Sequence, residues 1–263
     1  VAEEQAFLQS ARQHRYAADW QVRLAEPIGP TAFLGRPIRK QGSQVERIAV
    51  DLGPERTARL RQQAARRGRA RDDGRQPDTS ASLTGASLFA VLGALLVTYV
   101  ARSGETNQVA LGTYVHNRAT IRQKTTIGYF AGTLPLHLGV QPGDTVWTLC
   151  DRLAAERFTA LRYSRFAATD VAGEARFEVS LNFIAGAVSP FQARPVHVSW
   201  LFTGYGAESL ALQVDAYSAA DNITLNFDLH CDVFSADERA RIPGHFLQLL
   251  DAFLADPESP VDA

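Results

Sequence analysis

The spacing of apolar residues changes several times along the chain, and each change marks an element. Phe7, Leu8, Ala11, Tyr16, Trp20 and Leu24 recur at intervals of three and four, which predicts a helix over Ala2–Leu24. Pro27, Gly29 and Pro30 end it, and a Gly-, Pro- and Arg-rich loop runs to Gly42. Val45, Ile48 and Val50 stand among charged residues and predict a strand over Val45–Leu52. Pro54 is tolerated in a first turn and can start a helix through Ala65. Arg66–Ser82 is polar and nearly free of large apolar groups, so it reads as a flexible loop. Thr84–Arg102 is apolar almost all round and predicts a buried helix, with Gly104 as its stop signal.

The second half changes period. Gln108–Val115 and Thr133–Val140 read as strands, and Pro135 points to an edge or a bulge in the latter. The stretch between them, His116–Ile127, is polar. Asp144 reads as the cap of a helix running to Tyr163. Four strand candidates follow, Arg176–Phe183, Pro195–Phe202, Leu210–Tyr217 and Ile223–His230. The last two alternate apolar and polar, as half-buried antiparallel strands do. Ser235 opens a final helix through Ala255, with Asp237 and Glu238 in its first turn, and Pro257 and Pro260 close the pattern. Helices and strand runs mix without regular βαβ alternation. That predicts an α+β fold, a mostly antiparallel mixed sheet packed with helices, rather than a doubly wound parallel sheet.

Composition adds exclusions. With 27 basic and 28 acidic residues in 263, no global field favours nucleic acid or a membrane surface. The longest apolar run, Ser87–Ala101, is too short and interrupted to span a bilayer. Cys150 and Cys231 lie far apart and form no framework, and the N-terminus is polar, so a reducing cytoplasm is the expectation. The chain lacks methionine and begins at Val1, which reads as a fragment or a processed piece.

Reactive motifs are sparse. There is no phosphate-binding loop and no GxSxG elbow. His230, Cys231 and Asp232 form the only tight cluster of metal-ligand types, but neighbours on a strand point to opposite faces, so no metal site is expected. Acyl transfer commonly uses a histidine base, and many such enzymes carry it as HxxxD. Four residues beyond the six histidines stand Ala18, Thr120, Gln141, Leu201, Phe234 and Leu249, so the chain offers no such catalytic residue.

Val91–Leu138 nevertheless resembles a known family. Arg102-Ser103-Gly104, Val109–Gly112, Arg118, Ile127–Phe130 and Thr133–Leu136 fall in register with a segment of nonribosomal peptide synthetase condensation domains. Pro142–Val146, Phe177–Phe183 and Phe246–Pro257 extend the resemblance, as does Val1–Leu24 with its Trp20, so it covers nearly the whole chain as a C-terminal lobe. Gly132 stands where that family has Asn, and Tyr163 where it has His. The family's HHxxxDG motif is not in this chain and is expected upstream, in an N-terminal lobe.

The resemblance implies a chloramphenicol acetyltransferase-like lobe. It also implies amide formation between an acyl or peptidyl donor and an aminoacyl acceptor. Both would be carried on phosphopantetheine arms of carrier proteins, with no cofactor bound in this chain. Implied partners are the N-terminal lobe, the donor and acceptor peptidyl carrier proteins and neighbouring synthetase domains. The lobe would supply a tunnel wall, a floor loop and a latch. Ile127–Thr133 would form the floor loop, with Gly128, Tyr129, Phe130, Gly132 and Thr133 toward the tunnel. The two glycines suit a backbone that passes close to a ligand or another segment. A glycine turn with two core aromatics fits the same residues. Ser180 and Asn182 share a strand face, and either look into the tunnel or are a satisfied sheet hydroxyl and amide. Tyr163 and Arg165 are weaker candidates. Two other classes fit the pattern: a noncatalytic carrier- or enzyme-recruiting module of the same fold, and another acetyltransferase-like enzyme.

Overall fold

The structure is a computed structural model. It describes residues 9–23, 30–70, 80–118, 120–162, 177–186, 191, 192, 194, 196, 200–217 and 222–262. Helix α1 spans Ala11–Arg23, and its Trp20 is fully buried. A short hairpin of β1 (Ala32–Phe33) and β2 (Arg36–Pro37) follows. Next come β3 (Val45–Asp51), α2 (Gly53–Ala70), α3 (Ser80–Ser103), β4 (Gln108–Val115), α4 (Ile121–Thr125) and β5 (Gly132–Gly139). The chain continues with α5 (Val146–Arg162), β6 (Val179–Gly186), β7 (Leu210–Tyr217), β8 (Thr224–His230) and α6 (Ala236–Ala255).

Six strands form one sheet in the order β3-β8-β7-β6-β4-β5. Three neighbouring pairs are antiparallel and two, β4 with β6 and β6 with β7, are parallel. The α+β expectation of a mixed, mostly antiparallel sheet therefore stands. β5 is an edge strand, which accommodates Pro135 opposite Gly112, as its sequence implied.

Strand alternation decides which face is buried. Leu134, Leu136 and Leu138 of β5, Val109 and Leu111 of β4, Val179 and Leu181 of β6, and Leu210, Leu212 and Val214 of β7 are fully buried on one face. The helices pack there: Phe89 of α3 meets Phe183, and Phe246 of α6 meets Phe227, both edge to face. Each fully buried Leu or Phe contributes about 1.5–3 kcal/mol relative to exposure. Helix α3 touches α2, α5, α6, β4 and β6, which explains why it is apolar nearly all round. On the opposite face, no helix among the described residues packs on the even residues of β4 and β6. Phe177 instead lies over Gly112, where a Cβ would come within 2.1 Å of its ring.

Several boundaries differ from the sequence reading. Arg66–Ala70 continue α2 and Ser80–Ser82 begin α3, so the loop expected over residues 66–82 is helical at both ends; residues 71–79 lie outside the described residues. Arg66, Arg67, Arg69 and Ala70 are good helix formers, and α2 runs on through them despite Gly68. Of the strand expected over Pro195–Phe202, the described residues Val196 and 200–202 join no strand, and the rest lie outside. The left-handed turn after α3 falls on Glu105 (φ 48°), not on Gly104. Helix α6 begins after Ser235, as its sequence implied, and the structure adds that Ser235 caps it in a reciprocal capping box with Glu238.

The cap of α5 is Thr145 rather than Asp144. Thr145 Oγ1 accepts from the Thr148 N–H (3.3 Å). Asp144 sits one residue earlier, nearly buried, and receives the Arg152 guanidinium (2.8 and 3.1 Å), the Gln141 N–H (2.7 Å) and the Thr148 hydroxyl (3.0 Å). Burial pushes its carboxyl up, but those four hydrogen bonds outweigh burial and hold it below the usual range. The Asp144 main-chain carbonyl also accepts from the Val261 N–H (2.7 Å), so residue 144 pins residue 261 beside α5.

Asp144→Ala is expected to destabilise the fold by about 2 kcal/mol, since it strands a partly buried arginine. A depressed folded pKa gives stability that is present above the unfolded value and lost as pH falls through the folded one. Chemical denaturation should therefore show the wild-type advantage intact at neutral pH and shrinking below about pH 4. Gly112→Ala should cost about 1–3 kcal/mol by driving Phe177 off the sheet. Combined with Phe177→Ala, its cost should be markedly smaller, a non-additivity that thermal melts of the two single variants and the pair can read.

Candidate substrate-facing site

The bare sheet face and the loop that borders it hold the residues singled out in the sequence. Asn117 leaves β4 in the left-handed region (φ 49°), and Thr120 then caps the short helix α4. Its hydroxyl accepts from the Gln123 N–H (3.1 Å), and the Gln123 side chain accepts from the Thr120 N–H (3.0 Å). No residue of α4 is buried. The polar stretch 116–127 therefore contains a helix that its hydrophobic pattern could not announce.

Arg118 holds the rest of this loop. Its guanidinium donates to the main-chain carbonyls of Gln123, Thr126 (2.7 Å) and Gly128 (2.7 Å), and lies 4.3 Å above the Phe130 ring. Gly128 has φ 152°, a conformation that side chains disfavour. Gly132 lets the chain pass Asn117, whose Nδ2 would be 2.9 Å from an added Cβ. The close approach at Gly132 is thus to another chain segment. Ile127 and Tyr129 project, at 101% and 89% exposure. Tyr129 is therefore not a core aromatic, and Phe130 is half-buried beneath Arg118.

Register brings Thr133, Ser180 and Asn182 onto the same bare face. Thr133 pairs with Tyr114, and Gly112 pairs with Ser180, so Tyr114 stands between β5 and β6. Ser180 is fully buried; its Oγ makes no hydrogen bond of ordinary geometry but lies near enough to the Tyr114 hydroxyl to lower that group's pKa. Asn182 is half-buried beside Gln213. Tyr163 and Arg165 lie outside the described residues.

Sequence reasoning missed Tyr114 and Glu208. The Tyr114 hydroxyl donates to the Glu208 carboxylate (3.1 Å). Burial, and then the Glu208 charge, push this hydroxyl up to about 12, while the neighbouring Ser180 hydroxyl pulls more weakly the other way. Tyr114 thus acts as a hydrogen-bond donor across the working pH range. The alternation of Gln108–Val115 could have placed Tyr114 beside Gly112; nothing local could have brought Glu208, 94 residues away, to it. Farther along the face, Arg47 grips Asp228 through two hydrogen bonds (2.6 and 2.7 Å) and covers the Phe202 ring at 4.3 Å. Hydrogen bonding to Asp228 raises the Arg47 pKa, so the guanidinium stays charged. Asp215 accepts from Asn226 (2.9 Å) and Gln213 (3.1 Å).

The face thus offers hydrogen-bond donors and acceptors and a buried hydroxyl in a half-covered setting. Among the described residues, no cluster of His, Cys, Asp and Glu could hold a metal ion, and Cys150 and Cys231 are free thiols. No described helix is long and apolar enough to cross a membrane.

Comparison with solved structures finds the same fold in condensation domains. The first condensation domain of the calcium-dependent antibiotic synthetase, bound to a substrate analogue, superposes with a TM-score of 0.73 at 20% identity, over 100% of this chain and 55% of that one. The starter condensation domain of rhizomide synthetase gives 0.72 at 20% identity, over 98% and 55%. Both have the chloramphenicol acetyltransferase-like fold, as the resemblance implied. In sequence, a plipastatin synthase of Bacillus subtilis (strain 168) is 23% identical over 98% of this chain and 10% of its own length. A surfactin synthase of the same organism is 24% identical over 100% and 7%. The chain therefore spans about half of the solved domains and a small part of the synthetases. The condensation-domain family model matches residues 1–263, and with fold, motif order and relatives in agreement, this chain belongs to the condensation-domain family of nonribosomal peptide synthetases.

Proposed function

We propose that this chain is the C-terminal lobe of a condensation domain and forms one wall of the tunnel in which an amide bond is made. The observation that carries this reading is the sheet face: the described helices pack on one side, and the other holds the buried Ser180 hydroxyl beside Tyr114 and Glu208. A sheet face with a partly apolar, partly polar lining needs a second layer. In this reading the second layer is the N-terminal lobe, and the space between is the tunnel. The rhizomide synthetase domain, similar in fold, was solved with C8-CoA and Leu-SNAC, a pairing that suits a donor acyl group and an acceptor amine.

The division of work follows from the chemistry. The acceptor amine must lose a proton as it attacks the donor thioester carbonyl, and the pantetheine thiol leaves. The histidine motif that serves this step belongs to the other lobe. This lobe binds and orients. Gly128–Thr133 form the floor loop, with Tyr129 projecting toward the acyl chains or the facing lobe. Ser180 and Asn182 offer hydrogen bonds to the amide-bearing arms. The connection between β6 and β7 exposes Phe191, Val196, Leu201 and Tyr205, and serves as the latch that crosses to the other lobe. Donor and acceptor arrive on the phosphopantetheine arms of peptidyl carrier proteins, in a cytoplasmic synthetase.

The test is a condensation assay with carrier-bound donor and acceptor. Chain and N-terminal lobe together should form the amide, and the chain alone should form none. Comparable turnover by the chain alone, or none by the two lobes together, would refute the reading. Within the two-lobe enzyme, Tyr129→Ala should lower amide formation about 10-fold, equal to roughly 1.4 kcal/mol of barrier. Its melting temperature should stay within a degree or so, because an exposed side chain contributes little to the core.

A further inference from the structure

We infer that Arg118 is the positioning residue of the floor loop: it acts on the reaction by holding residues 120–130 in place. The inference rests on the proposed tunnel reading and goes beyond it by naming what sets the loop's shape.

The segment has almost nothing else to hold it. From Thr120 to Phe130 no side chain is buried, and α4 is a five-residue helix without a buried residue. Hydrophobic burial, which fixes most helices, is absent here. Local hydrogen bonds hold the short helix, namely the Thr120–Gln123 capping box and the Thr125 and Thr126 hydroxyls donating to the Ile121 and Arg122 carbonyls, while Arg118 reaches across the rest. The guanidinium reaches carbonyls from the helix end at Gln123, from the turn at Thr126 and from Gly128, while its face rests on Phe130. It thereby ties both flanks of Ile127 and Tyr129 to the end of β4, which is anchored in the sheet. Among the described residues no carboxylate pairs with Arg118, so its donors go to the main chain.

Geometry makes arginine specific. A planar guanidinium presents donors in several fixed directions and still offers a flat face to a ring, whereas an ammonium is a point charge that cannot do both. Arg118→Lys keeps the charge and loses the clamp. The exposed Tyr129 side chain lies one residue beyond the clamped Gly128 carbonyl, so release of the clamp sets the chain at Tyr129 and Phe130 free.

The test uses the two-lobe domain with Arg118→Ala and Arg118→Lys. Hydrogen exchange of the 120–130 amides should quicken at least 10-fold in both, with the amides of β6, β7 and β8 unchanged. With a soluble aminoacyl thioester as acceptor, kcat/KM should fall at least 10-fold in both variants. Millimolar methylguanidinium should restore part of the loss in Arg118→Ala, a recovery that general destabilisation would not give. Unchanged exchange at 120–130 would overturn the clamp whatever the activity. Quickened exchange with undiminished kcat/KM, or full activity in Arg118→Lys, would overturn its role in the reaction. If the wild-type two-lobe domain forms no amide, the tunnel reading and the catalytic role of Arg118 fall together, while the exchange arm still decides the clamp.

Discussion

One-sided burial of the six-stranded sheet is the constraint on which the rest depends. The described helices α3, α5 and α6 pack on one face, where most of the buried leucines and phenylalanines of the strands lie. The other face keeps polar and charged groups: Arg47 with Asp228, Asp215 with its two amide donors, Tyr114 with Glu208, and the buried Ser180 hydroxyl. In the proposed reading, the asymmetry that stabilises this sheet also leaves one wall free for substrate.

The borders of that face are held by polar contacts rather than by core packing. Residues 120–130 are held by the Arg118 guanidinium, one capping box and the Thr125 and Thr126 hydroxyls. The return arm of the β6–β7 connection is fixed through Phe202 beneath Arg47 and through main-chain bonds of Gly204 and Gly206 to the start of β3. A parallel pair such as β6 and β7 needs a long crossover, and the described part of this one carries apolar side chains outward.

Much of the fold was legible in the sequence because its signals are periodic. β7 and β8 alternate, α3 is apolar all round, and Ser235 with Glu238 announces a capped helix. Parity alone placed Ser180 and Asn182 on one face. What escaped were features set by long-range order. The sheet brings β4, β6 and β7 side by side, so Tyr114 and Glu208, 94 residues apart in sequence, meet only after folding. Asp144 looked like a helix cap because caps and buried ion-pair partners use the same residue type; Arg152, in the second turn of α5, decides between them. Residues 66–70 looked like a loop because they lack apolar groups, yet their helix propensity suffices to prolong α2.

The central claim, that the bare face looks onto bound substrate, can be tested by placing a thiol on it. Asn182→Cys in the two-lobe domain should react with an aminoacyl pantetheine analogue bearing a thiol-reactive group. Gln248→Cys, on the exposed side of α6, should react no faster with the analogue than with the free reactive group. The predicted result is selective labelling at residue 182, slowed by a carrier-bound acceptor that competes for the tunnel. Equal labelling at both positions, or labelling at 182 that the acceptor does not slow, would contradict it.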